Sequence, residues 1–483
     1  MTPISIAAVL GIFLLVVFFA TGMGRFTPNP SYSNYFLASR SVDKSTNSAS
    51  YIARFTSLAT VLGFFLIFSR FDGLFLLVAP ITVFLGIYIF VWIMRRYIFL
   101  RDDAGQPFSS MSAMVGDFYG STTIGRIASS ISIFTVFCIL LIELYVGVQI
   151  LSLFIEDTDP LIPISMIIIS IPVFLYVCAG GLETVVVTDK LQSSLMWLFV
   201  IALLVYVLAT GSLTVEKALP RPAISEGVFL LPYALLANIM VVNIFLFPTL
   251  YSTWQMRFAS QSDDDFVAGT MRGALGVTFL WFALVLCGIG LGSFLPGEVM
   301  SIAELAQALA NAEDFLVKWL LFPLFFAASL SALFSTADSA IVPIVQSCYD
   351  IARKRERSFS RLLAISLTIV LLIVCIFVYI LVFGILNYNF INFLFSVFAF
   401  AISIAPIILW MFLYPKDPFS KSRANFFALF AVLGFIVALA VSSYGNLLSN
   451  AALVQLSAPI ALLVALLGPG ISMLVHGSGN ARD

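Results

Sequence analysis

The stretch SALFSTADS at residues 331–339 lies inside an apolar segment that extends over roughly residues 314–350. Hydroxyl and carboxyl groups within such a segment mark functional positions by default, because lipid offers them no hydrogen-bond partners. On a helix, Ser335, Asp338 and Ser339 stand at positions i, i+3 and i+4, so their oxygen atoms share one face. Hard cations take such oxygen atoms as ligands. The stretch therefore predicts part of a cation site.

A second interpretation of the same stretch is helix packing. Small and hydroxylated residues such as Ser331 are common where membrane helices pack together, and the serines alone fit either interpretation. Asp338 favours the cation site, because a carboxylate in hydrocarbon costs about 2.5–3.5 kcal/mol and needs a partner, a proton or an ion.

The composition excludes a soluble globular protein and a disordered chain. Of the 483 residues, 61% are hydrophobic and only 10% are charged, and the mean hydropathy is +1.08. Windows of about 20 apolar residues predict an all-α polytopic membrane protein. Thirteen spans are expected, at residues 3–22, 45–70, 71–95, 124–155, 162–178, 187–211, 227–250, 271–297, 314–350, 360–386, 390–413, 424–443 and 453–475.

The distribution of positive charge predicts the orientation of these spans. An odd number of spans places the two termini on opposite sides of the membrane. With the N-terminus outside, the inner segments hold nineteen of the 24 Lys and Arg residues, and the outer segments hold four. Because cytoplasmic loops carry an excess of Lys and Arg, we expect a multi-pass protein of the cell (inner) membrane with a cytoplasmic C-terminus.

The chain shows none of the patterns typical of an enzyme or a nucleic-acid-binding protein. It has no Gly-rich phosphate loop, no nucleophile–base pair and no basic patch, so we expect no catalytic residues and no nucleic-acid partner. The five cysteines lack metal-ligand spacing. The single histidine, His476, lies near the end of the chain and excludes a histidine proton relay. We expect one transmembrane domain over residues 1–483, in contact with the lipid bilayer and without an obligate protein partner.

Four stretches of sequence resemble the sodium/solute symporter family, which includes sodium–glucose and sodium–proline cotransporters. YFLASRS at 35–41 is similar to the family's lead-in to the second span, and SALFSTADS at 331–339 is similar to its ion-binding helix. GGL at 180–182 followed by TDKLQ at 188–192 is the most specific match. A weaker match, WQMRFA at 254–259, carries one inserted residue.

The resemblance implies the leucine-transporter fold, with two inverted five-helix repeats and sites near the middle of the bilayer. These repeats correspond to residues 45–211 and 227–413, after a leading span and loop at 1–44 and before two peripheral spans at 424–475. The first helix of each repeat also contains a candidate break, around residues 56–63 and at Pro248. Unwinding there frees carbonyl groups, which an ion, water or ligand must then satisfy.

The resemblance also implies residues for one or two coupling sodium ions. In the first site, Ala53, Thr56 and Ala332 supply backbone carbonyls, and Ser335 and Thr336 supply hydroxyl groups. Some members of the family bind a second cation. The corresponding residues here are Asp189, Ser335, Asp338 and Ser339.

A substrate pocket is expected beside the broken helices. Two charges, Arg54 and Glu143, stand out near it, and these residues could pair, since an isolated buried charge is costly. A pocket-facing Arg54 favours a solute with a carboxylate, which is our weak preference, whereas Glu143 alone favours an amine. The mostly apolar third span disfavours a sugar. The polar candidates for solute binding, with Arg54, are Ser57, Thr60, Glu143, Gln149, Asn238, Asn243 and Ser396.

The predicted function is therefore sodium-coupled import of a small organic solute by alternating access, without covalent chemistry. Two alternatives remain open on the sequence. A proton-coupled carrier of the same fold would use Asp189, Asp338 and Glu143 as its titrating groups. A membrane sensor or receptor would use a transporter scaffold to bind a solute without moving it.

Overall fold

The computed structural model describes most of the chain, and all structural statements below concern its described residues. These are residues 2–24, 30–61, 77–96, 108–151, 154, 164–211, 230–291, 302–352, 359–386, 388, 390–414 and 421–476.

The described chain is built from α-helices joined by short connections. Its first half contains α1 (Pro3–Gly24), α2 (Tyr32–Leu37), a 3-10 turn (Ala38–Arg40), α3 (Lys44–Phe55), α4 (Val78–Arg96), α5 (Met111–Phe118), α6 (Thr122–Leu151) and α7 (Ile164–Ala209). The second half contains α8 (Leu230–Thr249), α9 (Tyr251–Ala259), α10 (Asp263–Leu291), α11 (Ile302–Ala310), a π-helical turn (Val317–Leu321), α12 (Phe322–Ala352), α13 (Arg361–Tyr379), a second π-helical turn (Ile380–Ile385), α14 (Phe390–Ile402), α15 (Ala405–Leu413), α16 (Lys421–Leu447) and α17 (Ala451–His476).

The first predicted break is present at the end of α3. This helix begins at the cap residue Asp43, whose side chain accepts a hydrogen bond from the Thr46 amide at 2.8 Å. It ends at Phe55, because Thr56 leaves helical geometry with φ −106° and ψ 54°. The chain is helical again over residues 58–61. Gly63, which also belongs to the predicted break, lies outside the described residues.

The second predicted break is also present, between α8 and α9. Leu250 is extended, with φ −82° and ψ 123°, and the two helices meet at an angle of 41°. Pro248 disrupts the helix here, since proline has no amide hydrogen and its ring clashes with the preceding turn. The prediction that an ion, water or ligand satisfies the freed carbonyls is wrong at this break. Ser132 donates to the Thr249 carbonyl at 2.6 Å, and Trp254 donates to the Pro248 carbonyl at 2.7 Å.

Two of the predicted spans are joined in α7. At 46 residues this helix is about 69 Å long, more than twice the thickness of a hydrocarbon core. It is interrupted at Gly181, which has φ 59° and ψ −142°. The predicted spans 162–178 and 187–211 therefore correspond to the two halves of α7 on either side of Gly181.

Glycine is required at position 181 for two reasons. Its backbone conformation is one that residues with a Cβ rarely adopt, and a Cβ atom there would overlap the backbone carbonyl oxygen of Tyr35. We expect Gly181→Ala to lower the free energy of unfolding by about 1–3 kcal/mol, measured as a lower midpoint of thermal unfolding in detergent. Gly120→Ala is the matched control, since Gly120 has φ 58° but a Cβ atom added there would meet nothing within 4 Å. Equal losses in both variants would show that the contact with Tyr35 is unimportant.

Nine helices of the described chain are long and apolar enough to cross a membrane, or ten if the bent pair α8 and α9 counts as one span. Thirteen were predicted. The difference has three sources: α7 contains two predicted spans, α4 has a shorter apolar stretch, and the second span is described only up to residue 61.

The chain forms two compact units. The first comprises Met1–Phe84, Ile139–Ala223 and Ala268–Asn387. Its centre is α12, which packs against α1, α3 and α7 and is buried at every position from 325 to 346. An apolar helix that is buried all round is typical of the core of a large membrane protein.

The second unit comprises Leu85–Cys138, Ile224–Val267 and Tyr388–Asp483. In this unit α16 and α17 pack against each other, and both contact α14. Trp254 stacks on Phe412 with ring centroids 5.7 Å apart. Each unit mixes segments of both predicted repeats, and the boundaries of those repeats stay predictions.

Candidate functional site

Asp189 and Ser335 meet in the core of the first unit. Asp189 lies on the second half of α7 and Ser335 lies on α12, and both are completely buried. The Ser335 hydroxyl donates a hydrogen bond to Asp189 Oδ1 at 2.7 Å. The sequence separates these residues by 146 positions, so the packing of α7 against α12 creates the contact.

Asp338 is held one turn further along α12. The Tyr176 hydroxyl, on the first half of α7, donates to Asp338 Oδ2 at 2.6 Å, and the neighbouring Ser339 hydroxyl donates to Oδ1 at 3.3 Å. Both halves of α7 therefore contact the polar face of α12 that was predicted from the sequence. Tyr176 was not among the predicted site residues, because its role depends on a contact across 162 positions.

Arg54 of α3 completes this cluster. Its Nε atom lies 4.0 Å from Asp189 Oδ2, with only 7% of the arginine side chain exposed, and the guanidinium also interacts electrostatically with Asp338. The possible pairing of Arg54 with Glu143 is not found, and Arg54 lies beside Asp189 instead. Glu143 lies on α6, and its Oε1 accepts a hydrogen bond from the Ala59 amide at 3.3 Å. The reach of a buried arginine depends on which helix packs opposite, and here that helix is α7.

The residues predicted for the first sodium site all lie in the first unit, on α3, just after it, and on α12. Ala53, Thr56, Ala332, Ser335 and Thr336 are all buried, and α12 packs against α3. Ala53 is in the last turn of α3, where carbonyl groups lack donors within the helix.

One of the two proposed hydroxyl ligands favours a bound cation. Thr336 Oγ1 is buried and has no hydrogen-bond partner among the described residues. A buried polar atom without a partner costs about 1–3 kcal/mol, which a cation bound by this oxygen would offset. The residues present therefore fit a sodium ion: Ala53, Thr56 and Ala332 would contribute carbonyls, and Ser335 and Thr336 would contribute hydroxyls.

The residues predicted for the second cation site are also brought together. Asp189, Ser335, Asp338 and Ser339 form the hydrogen-bonded cluster described above. The same cluster contains Arg54, which the sequence analysis assigned to the substrate pocket.

The predicted substrate residues are divided between the two units. Ser57, Thr60, Glu143 and Gln149 belong to the first unit. The Ser57 hydroxyl accepts a hydrogen bond from the Thr60 amide at 3.1 Å and contacts the Thr60 hydroxyl at 2.8 Å. Ser57 therefore acts as a cap for the helical residues 58–61.

Asn238, Asn243 and Ser396 belong to the second unit. The Asn238 side chain donates to the Gln455 carbonyl at 2.6 Å, and the Ser396 hydroxyl donates to the Asn392 carbonyl at 2.7 Å. The first contact connects two helices, and the second stabilises a single helix. The sequence pattern did not reveal these roles, because a polar residue on an apolar helix fits helix packing and solute binding equally.

Glu143 stabilises the restart of the helix after the break at Thr56. We expect Glu143→Gln to retain the hydrogen bond to the Ala59 amide, because the amide oxygen of glutamine is also an acceptor. Glu143→Leu removes the acceptor and leaves a buried amide without a partner, which costs about 1–3 kcal/mol. Thermal unfolding of the two variants measures the difference, and similar midpoints for both would contradict this role.

Comparisons with known proteins support the fold. No family model matches the chain, and no curated protein matches it in sequence. A solved structure described as the substrate-bound outward-open state of a Na⁺-coupled sialic acid symporter, with a novel Na⁺ site, aligns with a TM-score of 0.69 at 15% identity, over 97% of this chain and 98% of that chain.

A second similar structure is Mhp1, a transporter of the nucleobase-cation-symport-1 family, in a closed conformation with bromovinylhydantoin bound. It aligns with a TM-score of 0.51 at 15% identity, over 93% of this chain and 96% of that chain. At this identity the likeness concerns the fold. The chain is an all-α polytopic membrane protein with a leucine-transporter-type fold.

Proposed function

We propose that this protein is a sodium-coupled symporter that imports a small organic solute by alternating access. The observation that carries the proposal is the packing of α12 against α3, the helix interrupted at Thr56, together with the buried Thr336 hydroxyl, which lacks a hydrogen-bond partner among the described residues. The similarity in fold to two solute transporters supports the same conclusion. The proposed orientation in the cell membrane has the N-terminus outside and the C-terminus in the cytoplasm.

In this proposal a sodium ion replaces its water shell with oxygen atoms from two helices. The carbonyls of Ala53 and Thr56 come from the end of α3, and the Ala332 carbonyl and the two hydroxyls of Ser335 and Thr336 come from α12. An ion bound by both helices favours the state in which they lie together. Sodium thereby shifts the population between conformations by its differential affinity for them.

The structure changes the argument about the solute. Arg54 interacts with Asp189 and Asp338, so it no longer gives a reason to prefer a solute with a carboxylate. Glu143 accepts a hydrogen bond from the Ala59 amide, which weakens the argument for an amine. We retain Ser57, Thr60 and Gln149 as proposed solute contacts in the first unit and Asn243 in the second.

Uptake into proteoliposomes tests the proposal. Radiolabelled solutes, selected from a library by sodium-dependent thermal stabilisation of the purified protein, are offered under an imposed sodium gradient or proton gradient. We expect the sodium gradient alone to drive accumulation, with choline chloride outside as the matched control. Accumulation driven only by protons would instead support the proton-coupled carrier. Solute binding without uptake under either gradient would support the sensor.

A further inference from the structure

The cluster around Asp189 contains a fixed positive charge where the sequence predicted an exchangeable cation. Arg54 lies on α3, between the proposed sodium ligands Ala53 and Thr56, and its side chain reaches Asp189 on α7. Its guanidinium carries a positive charge at all physiological pH values. We propose that Arg54 permanently fills the second cation position, so that this chain binds one sodium ion and not two. The inference rests on the proposed sodium coupling.

Three of the four carboxylate oxygens of the cluster accept hydrogen bonds from the protein, and the fourth lies 4.0 Å from Arg54 Nε. Asp189 Oδ1 accepts from Ser335, and Oδ2 faces Arg54. Asp338 Oδ2 accepts from Tyr176, and Oδ1 accepts from Ser339. A second sodium ion would have to share these carboxylate oxygens with their hydrogen-bond donors and sit close to the positively charged guanidinium. The residues present therefore do not fit a second sodium ion in this position.

The balance of charge leads to the same count of ions. With both carboxyl groups ionised, Asp189, Asp338 and the one guanidinium of Arg54 leave one negative charge in a buried cluster. A single sodium ion at the first site neutralises it, whereas two would leave an excess positive charge away from water, which is costly. Glu143, the third buried carboxyl among the described residues, contacts the Ala59 amide.

Ser335 connects the fixed charge to the exchangeable one. Its hydroxyl hydrogen is directed to Asp189, which leaves the lone pairs of its oxygen available to a cation at the first site. The ion pair of Arg54 and Asp189 thereby orients one proposed sodium ligand. In this role Arg54 and Asp189 are positioning residues for the first site.

The number of bound sodium ions tests the inference directly. Purified protein in detergent is equilibrated with radioactive sodium, with choline keeping the ionic strength constant, and the ions bound per chain are counted at saturation. We expect about one ion per wild-type chain and about two per Arg54→Gln chain, because removing the fixed charge opens the carboxylates to a second ion. Arg54→Lys keeps the charge and should bind about one.

Arg361→Gln is the matched control for the loss of a partly buried arginine in the same unit. Arg361 donates to the Ala179 carbonyl at 2.8 Å and lies outside the cluster, so this variant should bind as many ions as the wild type. A folded Arg54→Gln variant that binds no more sodium than the wild type would overturn the inference.

If Arg54→Gln does not fold, the number of sodium ions bound per wild-type chain tests the inference. One ion per chain supports the inference. Two ions per chain would overturn it while leaving sodium coupling intact. No bound sodium would overturn the proposed function itself, so the two failures are distinguishable.

Discussion

Thr336→Val and Ser335→Ala together are expected to lower the affinity for sodium by about 100-fold or more. Each variant removes one hydroxyl ligand, and a polar contact to a charged group contributes about 1.5–3 kcal/mol. Since about 1.4 kcal/mol corresponds to a factor of ten, each loss alone lowers the affinity about 10- to 100-fold. The midpoint of sodium-dependent thermal stabilisation, with choline as the replacement ion, measures the change.

The two single variants should differ in sodium-free buffer. The Thr336 hydroxyl has no hydrogen-bond partner among the described residues, so Thr336→Val should leave stability unchanged or higher when sodium is absent. Ser335→Ala removes a donor to Asp189 and should lower stability even without sodium. Loss of stability in Thr336→Val without sodium would contradict the assignment of this hydroxyl to an ion.

Ser331→Ala is the control for this pair. Ser331 is buried on the same helix, one turn before Ser335, and its hydroxyl donates to the Ala327 carbonyl of its own helix at 2.8 Å. We expect the sodium response of this variant to equal that of the wild type. A reduced response would show that any buried hydroxyl on α12 affects sodium binding, and the specific assignment would fail.

Asp189→Asn is expected to lower the free energy of unfolding by about 1.5–3 kcal/mol in sodium-free buffer. The variant removes a charged acceptor from the Ser335 hydroxyl and from the guanidinium of Arg54, which keeps Asp338 as its remaining charged neighbour. Equilibrium unfolding in mixed micelles measures the loss.

The double variant Arg54→Gln/Asp189→Asn separates the ion pair from other effects of these substitutions. It removes both charges, so we expect it to regain most of the stability that Asp189→Asn loses. A loss of stability in the double variant that is smaller than the sum of the two single losses would show that Arg54 and Asp189 interact directly. Additive losses would show that Arg54 and Asp189 act independently, against the 4.0 Å contact between them.

The sequence predicted the local features of the fold well. Pro248 forces a break because proline cannot continue the hydrogen bonding of a helix, and the structure interrupts the helix two residues later at Leu250. The spacing of Ser335, Asp338 and Ser339 placed them on one face of α12, and the structure directs that face toward α7. Both predictions depend on geometry within a single helix.

Contacts between distant helices could not be predicted in the same way. Glu143 was a possible partner of Arg54, although Arg54 pairs with Asp189, because the side chain can reach several neighbours and only packing selects one. Asn238 was assigned to the solute, although its amide donates to the Gln455 carbonyl of α17. An amide on an apolar helix has the same sequence pattern in both roles.

Side chains bind backbone groups at both broken helices, and near Thr56 the Trp281 indole donates to the Phe55 carbonyl at 2.9 Å. At Leu250 the chain itself supplies the missing partners: the Ser132 hydroxyl donates to the Thr249 carbonyl and accepts from the Tyr251 amide at 2.7 Å, and the Trp254 indole donates to the Pro248 carbonyl. The break at Leu250 therefore needs no bound ion, and its conformation should not depend on the salt concentration. At the break at Thr56, the buried hydroxyl of this residue has no hydrogen-bond partner among the described residues. Because the proposed sodium ligands Ala53 and Thr56 lie at this break, we expect the sodium concentration to affect the backbone at Thr56 and not at Leu250.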